Sequence, residues 1–177
     1  IEPLLADLDL QLSAQPGGGQ RVLVNGEDVS VAIRSPEVTA AVSAVAAHRC
    51  VRKALTAQQK AMGAKGGLVA EGRDIGTAVF PDADLKVFLT ATVTERARRR
   101  ALDLEQRGFP VPERSALEAQ IAERDHLDST REESPLLRAD DAVELVTDGM
   151  SITAVIDSLV NQFRERVAEE AWPTPAG

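Results

Sequence analysis

Apolar and polar positions change their period twice along this chain. From Leu8 to Ser13 they alternate one by one, as in a half-buried strand, and Arg21 to Asn25 (RVLVN) and Glu27 to Ile33 (EDVSVAI) read as two more short strands. QPGGGQ between the first two is a turn by composition, Gly26 permits the next turn, and the opening residues hold at most one turn of helix. Asp7 to Ile33 is therefore expected to form a small antiparallel sheet, inserted beside the main core. From Ser35 to about Met62 the period becomes helical. Ser35 suits an N-cap, Pro36 the first helical position, and Glu37 the positive end of the helix dipole. A break is expected at His48–Cys50, then a second helix over Val51 to Met62, ended by Gly63, Gly66 and Gly67.

Further on, short apolar runs at Leu68 to Glu71, Leu85 to Leu89 (LKVFL) and Ala142 to Thr147 (AVELVT) have the character of strands in a parallel sheet. Helices are expected between and after them. One opens at Thr94–Glu95 and runs to about Arg107, with Gly108 as its C-cap. Pro110 and Pro112 separate it from another, from about Glu113 to Asp128, and Ser134–Pro135 end that arm. The last runs from Ser151 to about Glu170 and turns Ile152, Val155, Ile156, Leu159 and Val160 inward; the tail AWPTPAG is expected to fray. Strands alternating with helices indicate an α/β fold, a parallel sheet wrapped by helices.

Composition narrows the picture. At 177 residues, with 44% hydrophobic and 27% charged residues, the chain suits one real core with a small appendage. No run of 18 or more apolar residues offers a membrane span, no secretory leader is recognised, and the single Cys50 excludes an internal disulfide framework; a cytoplasmic setting is expected. Two histidines and one cysteine do not make a His/Cys metal cluster. His48 reads either as a polar helix-end residue or as a base. A net charge of −8 argues against a nucleic-acid surface, which needs a positive footprint. Yet nine arginines stand between Arg96 and Arg138, balanced by nine acids. They are either solvated helices laced with ion pairs or a set of phosphate-facing guanidinium groups.

The apolar run at Leu68 breaks at Gly72 and sets Arg73 and Asp74 side by side at its end. Ligands of open parallel α/β sheets sit beyond the carboxyl ends of the strands. There, Arg73 offers a fork for phosphate and Asp74 an acceptor for an amine, unless the two only cap a turn. Arg124, Asp128 and Arg131 follow at i, i+4 and i+7, so a helix would align them on one face, as a site or as a surface ladder.

These segments, GEDVSVAIRSPEV from Gly26, GRDIGTAVFPDA from Gly72, ERARRRALDLEQRG from Glu95 and ERDHLDSTREESPL from Glu123, resemble the bacterial cytidylate (CMP) kinases, nucleoside-monophosphate kinases of the P-loop fold. The resemblance covers nearly the whole chain in order and spacing. It implies an ATP-dependent transfer of the γ-phosphoryl group to CMP or dCMP, with Mg²⁺ accompanying ATP, small-molecule partners only, and a monomer. It implies residues 1–34 as part of a CMP-binding insertion, 35–66 as the helical part of that region, 67–92 as core sheet, 93–138 as the lid region, and 139–177 as a core strand and final helix. By position, Ser43, Arg52 and Asp74 would read the cytosine base, Arg73 and Arg124 would lie near the monophosphate, and Asp128 and Arg131 would contact the sugar and close over it. Arg124 and Arg131 are the expected catalytic pair, and Arg99, with Arg100 a weaker choice, the expected contact to ATP.

The chain departs from that family in one respect. The GxxxxGK[ST] loop, whose backbone amides and lysine hold the donor phosphates and whose Ser/Thr holds magnesium, is not found in it. The present residues are expected to form the acceptor site and lid, with the first portion of the fold lying outside them. A non-catalytic nucleotide-binding fragment is the competing reading. Phosphoryl transfer fits the lack of an evident general base, since it relies on positioning and charge neutralisation.

Overall fold

The computed structural model describes residues 1–15, 19–169 and 172. Half of the expected turn at QPGGGQ, residues 16–18, and almost all of the expected frayed tail lie outside those residues. A short helix α1 (Glu2–Ala6) leads into strands β1 (Leu10–Ala14), β2 (Gln20–Val24) and β3 (Glu27–Asp28). The three form an antiparallel sheet in which Leu12 faces Val22 and Val24 faces Glu27. Asn25 and Gly26, both at positive φ (50° and 82°), make the two-residue hairpin turn that matches strand twist. The third strand is shorter than its alternation suggests. Asp28 accepts hydrogen bonds from the backbone and hydroxyl of Ser30, and Ser30 Oγ accepts from Val22 N at 2.9 Å. A side-chain turn thus replaces the ladder, and the chain winds into a 3₁₀ turn at Ala32–Arg34.

Helix α2 (Pro36–Ala46) starts as expected, with Ser35 Oγ accepting from Val38 N. After a bend at His48, α3 runs over Arg49–Gly63. Gly63 is thus inside the helix, where a Cβ would come within 2.5 Å of the Phe80 ring. Residues 64–67 form the turn instead, and Gly66 and Gly67 supply its positive φ.

The main sheet has two described strands, β4 (Val87–Thr90) and β5 (Val143–Val146), paired in parallel with Val87 beside Val143. The expected strand at Leu68 to Glu71 is not formed among the described residues. Its backbone is unpaired and Val69 is 99% exposed. A strand exists through its ladder, and among the described residues β4 and β5 pair only with each other, so Leu68 to Glu71 has none.

Helix α4 (Val93–Gln106) and helix α5 (Arg114–Thr130) form a hairpin joined through Gly108, at φ 73°. Ala97, Leu104 and Leu117 are the buried centre of that hairpin, and Ala101, Phe109 and Ile121 pack around them. The final helix α6 (Ile152–Arg166) is capped by Ser151 and ends short of the expected Glu170, and its apolar face is not turned in: Ile152, Ile156 and Val160 are exposed, while Val155 and Leu159 are half-buried. Periodicity locates an apolar stripe on a helix and says nothing of what covers it. Among the described residues, no helix is long and apolar enough to cross a membrane.

Candidate functional site: a cleft of paired arginines

Four elements meet at a cavity of ≈ 180 Å³. Helix α2 contributes Ser43, α3 contributes Arg52 and Gln59, the loop before β4 contributes Arg73 and Asp74, and α5 with its following residue contributes Arg124, Asp128 and Arg131. Seven of the eight residues singled out in the sequence thus line one space. Arg99 is not among them.

The loop geometry explains the position of Asp74. Gly72 is needed because a Cβ there would stand 2.7 Å from Ile75 Cγ1. Immediately after Asp74 the chain makes one wide π-helical turn (Ile75–Val79), in which Asp74 O accepts from Ala78 N and Val79 N, and Phe80 N donates to Ile75 O at 2.7 Å. Such turns are rare and recur at functional sites. The turn leaves Asp74 buried, at 6% exposure, with its carboxylate against the Arg52 guanidinium and 3.7 Å from Arg131 Nη2.

Asp128 is buried still deeper, at 2%. Its carboxylate stands 2.8 Å from Arg73 Nε and 3.7 Å from both Arg124 Nε and Arg131 Nη1. Arg131 lies just past the end of α5 rather than on a continuing helical face. It is the C-cap in extended conformation, and its guanidinium donates to the Ser134 carbonyl, with Nε at 2.7 Å. The loop returns over the helix end, where Leu136 N donates to Asp128 O at 2.7 Å.

The electrostatics follow from crowding cations in a half-buried space. Burial, then the Arg131 cation, pulls the Arg52 guanidinium below its ordinary value. Burial, then the Arg73 cation, does the same for Arg124. Arg131 is lowered chiefly by burial, with Asp128 opposing. Arg124 has its Nε buried without a hydrogen-bond partner, since 3.7 Å to Asp128 exceeds the roughly 3.2 Å reach of such a bond. Ser43 Oγ is likewise buried and unpartnered. A guanidinium without a close hydrogen bond, beside a second cation and an unused hydroxyl, suits an anion with a polar neighbour.

One member of this network, Asp125, is not among the residues singled out in the sequence. Asp125 accepts from Arg73 Nη1 at 2.9 Å and takes a two-pronged contact from Arg96, with Nη1 at 3.1 Å. Its i, i+3 spacing to Asp128 puts both carboxylates on one side of α5, and that spacing was the clue available. Arg99 stands elsewhere. Its Nε binds Glu95, and its Nη1 and Nη2 donate to the hydroxyl and carbonyl of Thr147, at 2.9 and 2.6 Å. Arg100 reaches Thr39 and Asp103. His48 marks the α2–α3 bend, at the N-cap of α3.

Among the described residues, no group of three or more His, Cys, Asp and Glu could hold a metal ion.

The family model for cytidylate kinase matches residues 1–165. The chain is 88% identical, over all 177 of its residues and 37% of the relative, to a bifunctional pantoate ligase/cytidylate kinase of Synechococcus sp. (strain CC9605). It is 84% identical to a protein of the same name from Parasynechococcus marenigrum (strain WH8102), over 100% of this chain and 35% of that one. A third such protein, from Prochlorococcus marinus (strain MIT 9303), is 65% identical over 99% of this chain and 36% of the relative. The chain thus spans little more than a third of the length of these relatives. With its small antiparallel sheet, its parallel strand pair and its arginine-lined cleft in the matched region, the chain belongs to the cytidylate kinase family.

Proposed function

We propose that this chain forms the acceptor side of a kinase that transfers the γ-phosphoryl group of ATP to CMP or dCMP. The observation that carries the reading is Arg124 beside Arg73 at the wall of the cleft, its Nε buried without a hydrogen-bond partner and its one ion pair, to Asp128, held at 3.7 Å. Two always-charged, planar guanidinium groups with hydrogens to spare suit a monophosphate. Asp74, across the cleft, suits the exocyclic amine of cytosine, an amine that uracil replaces with an acceptor. Ser43 and Arg52 complete the base side, and Asp128 and Arg131 the sugar side. Arg124 and Arg131 are the groups proposed to neutralise charge as the phosphoryl group passes.

At ≈ 180 Å³ the cleft is smaller than the roughly 300 Å³ at which ligand pockets begin, so nucleotide binding is expected to part α2 and α3 from α5. The ATP-side role of Arg99 would use the two N–H groups left of its five after its three bonds to Glu95 and Thr147. ATP with Mg²⁺ is the donor expected of the family. The donor-phosphate cradle is not among these residues, because no GxxxxGK[ST] run occurs in the sequence. Residues 93–138 are proposed as the lid region. The protein is taken to work as a monomer in the cytoplasm.

The test is ADP formation from ATP and CMP, with magnesium, by the complete protein, compared with UMP and AMP as acceptors. Selective turnover of CMP or dCMP supports the reading, and indifference to the acceptor overturns it. The same assay on these 177 residues alone addresses the competing fragment reading, and CMP binding without turnover is the expected result.

A further inference from the structure

From the geometry around α5 we infer that Asp125 is a positioning residue, holding Arg73 in register with helix α4 so that its free edge faces the acceptor phosphate. The inference rests on the proposed kinase reading and adds to it a residue with no assigned role.

Arg73 is gripped on one side only. Its Nε stands 2.8 Å from Asp128 and its Nη1 2.9 Å from Asp125, while Nη2 has no protein partner among the described residues. A guanidinium is planar and rigid, so fixing two of its nitrogens fixes the direction of the third. Asp128 alone cannot do this, because its carboxylate also faces Arg124 and Arg131. Asp125 has a narrower task. Its other partner is Arg96 of α4, which meets both carboxylate oxygens. A two-pronged Arg–carboxylate contact sets orientation as well as distance. Asp125 is therefore itself held from behind, and the orientation of Arg73 is referred through it to α4. Burial would raise the Asp125 carboxyl, but the hydrogen bonds from Arg96 and Arg73 prevail and keep it below its ordinary value, so it stays charged near neutrality.

A surface ion pair would look similar in a list of contacts but would behave differently. Arg73 and Arg96 are each only about a third exposed (29% and 30%), and they converge on one carboxylate from two separate elements. The chain positions them across sequence gaps of 52 and 29 residues.

The test is a pair of thermodynamic cycles in the complete protein, read as kcat and KM for CMP and for ATP. Asp125→Asn preserves shape and removes the charge. It is expected to lower kcat/KM for CMP by on the order of 10-fold or more, within the roughly 10²-fold that misplacing a positioned group can cost, and to leave the KM for ATP unchanged. In an Arg73→Ala background, the same substitution should have no further effect beyond about 2-fold. Arg96→Ala provides an independent route should Asp125→Asn fold poorly, with the same loss and the same lack of additivity. Full additivity with Arg73→Ala, or equal losses for CMP and ATP, overturns the proposal and makes Asp125 a general stability residue. A wild-type protein that does not phosphorylate CMP overturns the kinase reading and this proposal with it. An active wild type matched by Asp125→Asn overturns the proposal alone.

Discussion

Replacing Asp74 with asparagine removes one negative charge from a place where two cations depend on it. Asp74 is 6% exposed, its carboxylate meets Arg52, and Arg131 Nη2 lies 3.7 Å away. Both arginine side chains are themselves little exposed, at 11% and 6%. Removing one partner of a buried pair typically costs about 3–5 kcal/mol; asparagine keeps an acceptor oxygen, which places Asp74→Asn near the lower end. On the proposed reading a second effect is separable from the first. The cytosine amine loses a charged acceptor, and the asparagine amide can donate to the uracil carbonyl. An unmatched buried donor or acceptor costs about 1–3 kcal/mol, so the CMP/UMP ratio of kcat/KM should shrink by roughly 5- to 160-fold. Thermal unfolding measures the first effect, and steady-state kinetics with CMP and UMP measure the second in the same preparation. Lower stability with an unchanged CMP/UMP ratio would refute the base-reading role. Unchanged stability would refute the account of Asp74 as the counter-charge of two buried arginines.

Three further outcomes are expected. Arg124→Ala should reduce kcat by on the order of 10³-fold while shifting stability little, because its guanidinium has no close hydrogen bond to lose; kinetics alongside a denaturant curve check both. Leu104→Ala should destabilise by about 2–5 kcal/mol, since Leu104 is buried with Ala97 and Leu117 at the centre of the α4–α5 hairpin; urea unfolding measures it. The Asp28 carboxyl is held down from 3.8 to about 2, first by the Ser30 hydroxyl, then by the Ser30 amide and Arg21. A depressed carboxyl contributes stability that is complete above its unfolded value and is lost as pH falls through its folded one, so the turn after β3 should loosen between pH 3.8 and about 2. Following the Ser30 amide by NMR through that range tests it, and Asp28→Asn should abolish the transition.

Local rules made much of this molecule legible. Ser35, Pro36 and Glu37 announce α2, Ser151 announces α6, and Asn25–Gly26 announces a hairpin, because caps and tight turns depend on neighbours a few residues away. The residues of the cleft were legible through the family's motifs, and the structure brings seven of them together. What escaped depends on distant partners. The run at Leu68 has the composition of a strand but no ladder among the described residues, and Ile152 of α6 has the right periodicity but is 81% exposed. EDVSVAI alternates correctly, yet Asp28 and Ser30 satisfy each other and Val22 before the alternation can act. Asp125 escapes notice because a carboxylate beside Arg124 in sequence reads as its local counter-charge. Its real partners, Arg73 and Arg96, arrive from other elements.

The bonds that occupy Arg99 also shape how α4 can move. Thr147 is 1% exposed at the end of β5 and ties to Thr90 as well as to Arg99, while Asp148 accepts from the Thr92 amide at the start of the helix. The first two turns of α4 are thereby riveted to the sheet, while its second half is held by Leu104 against Leu117 of α5 and by Arg100 against Thr39 of α2. Arg96 lies in the riveted half. The carboxylate of Asp125, which meets Arg96, is therefore tied through α4 to the end of β5, and the acceptor cleft shares one frame of reference with the parallel strands.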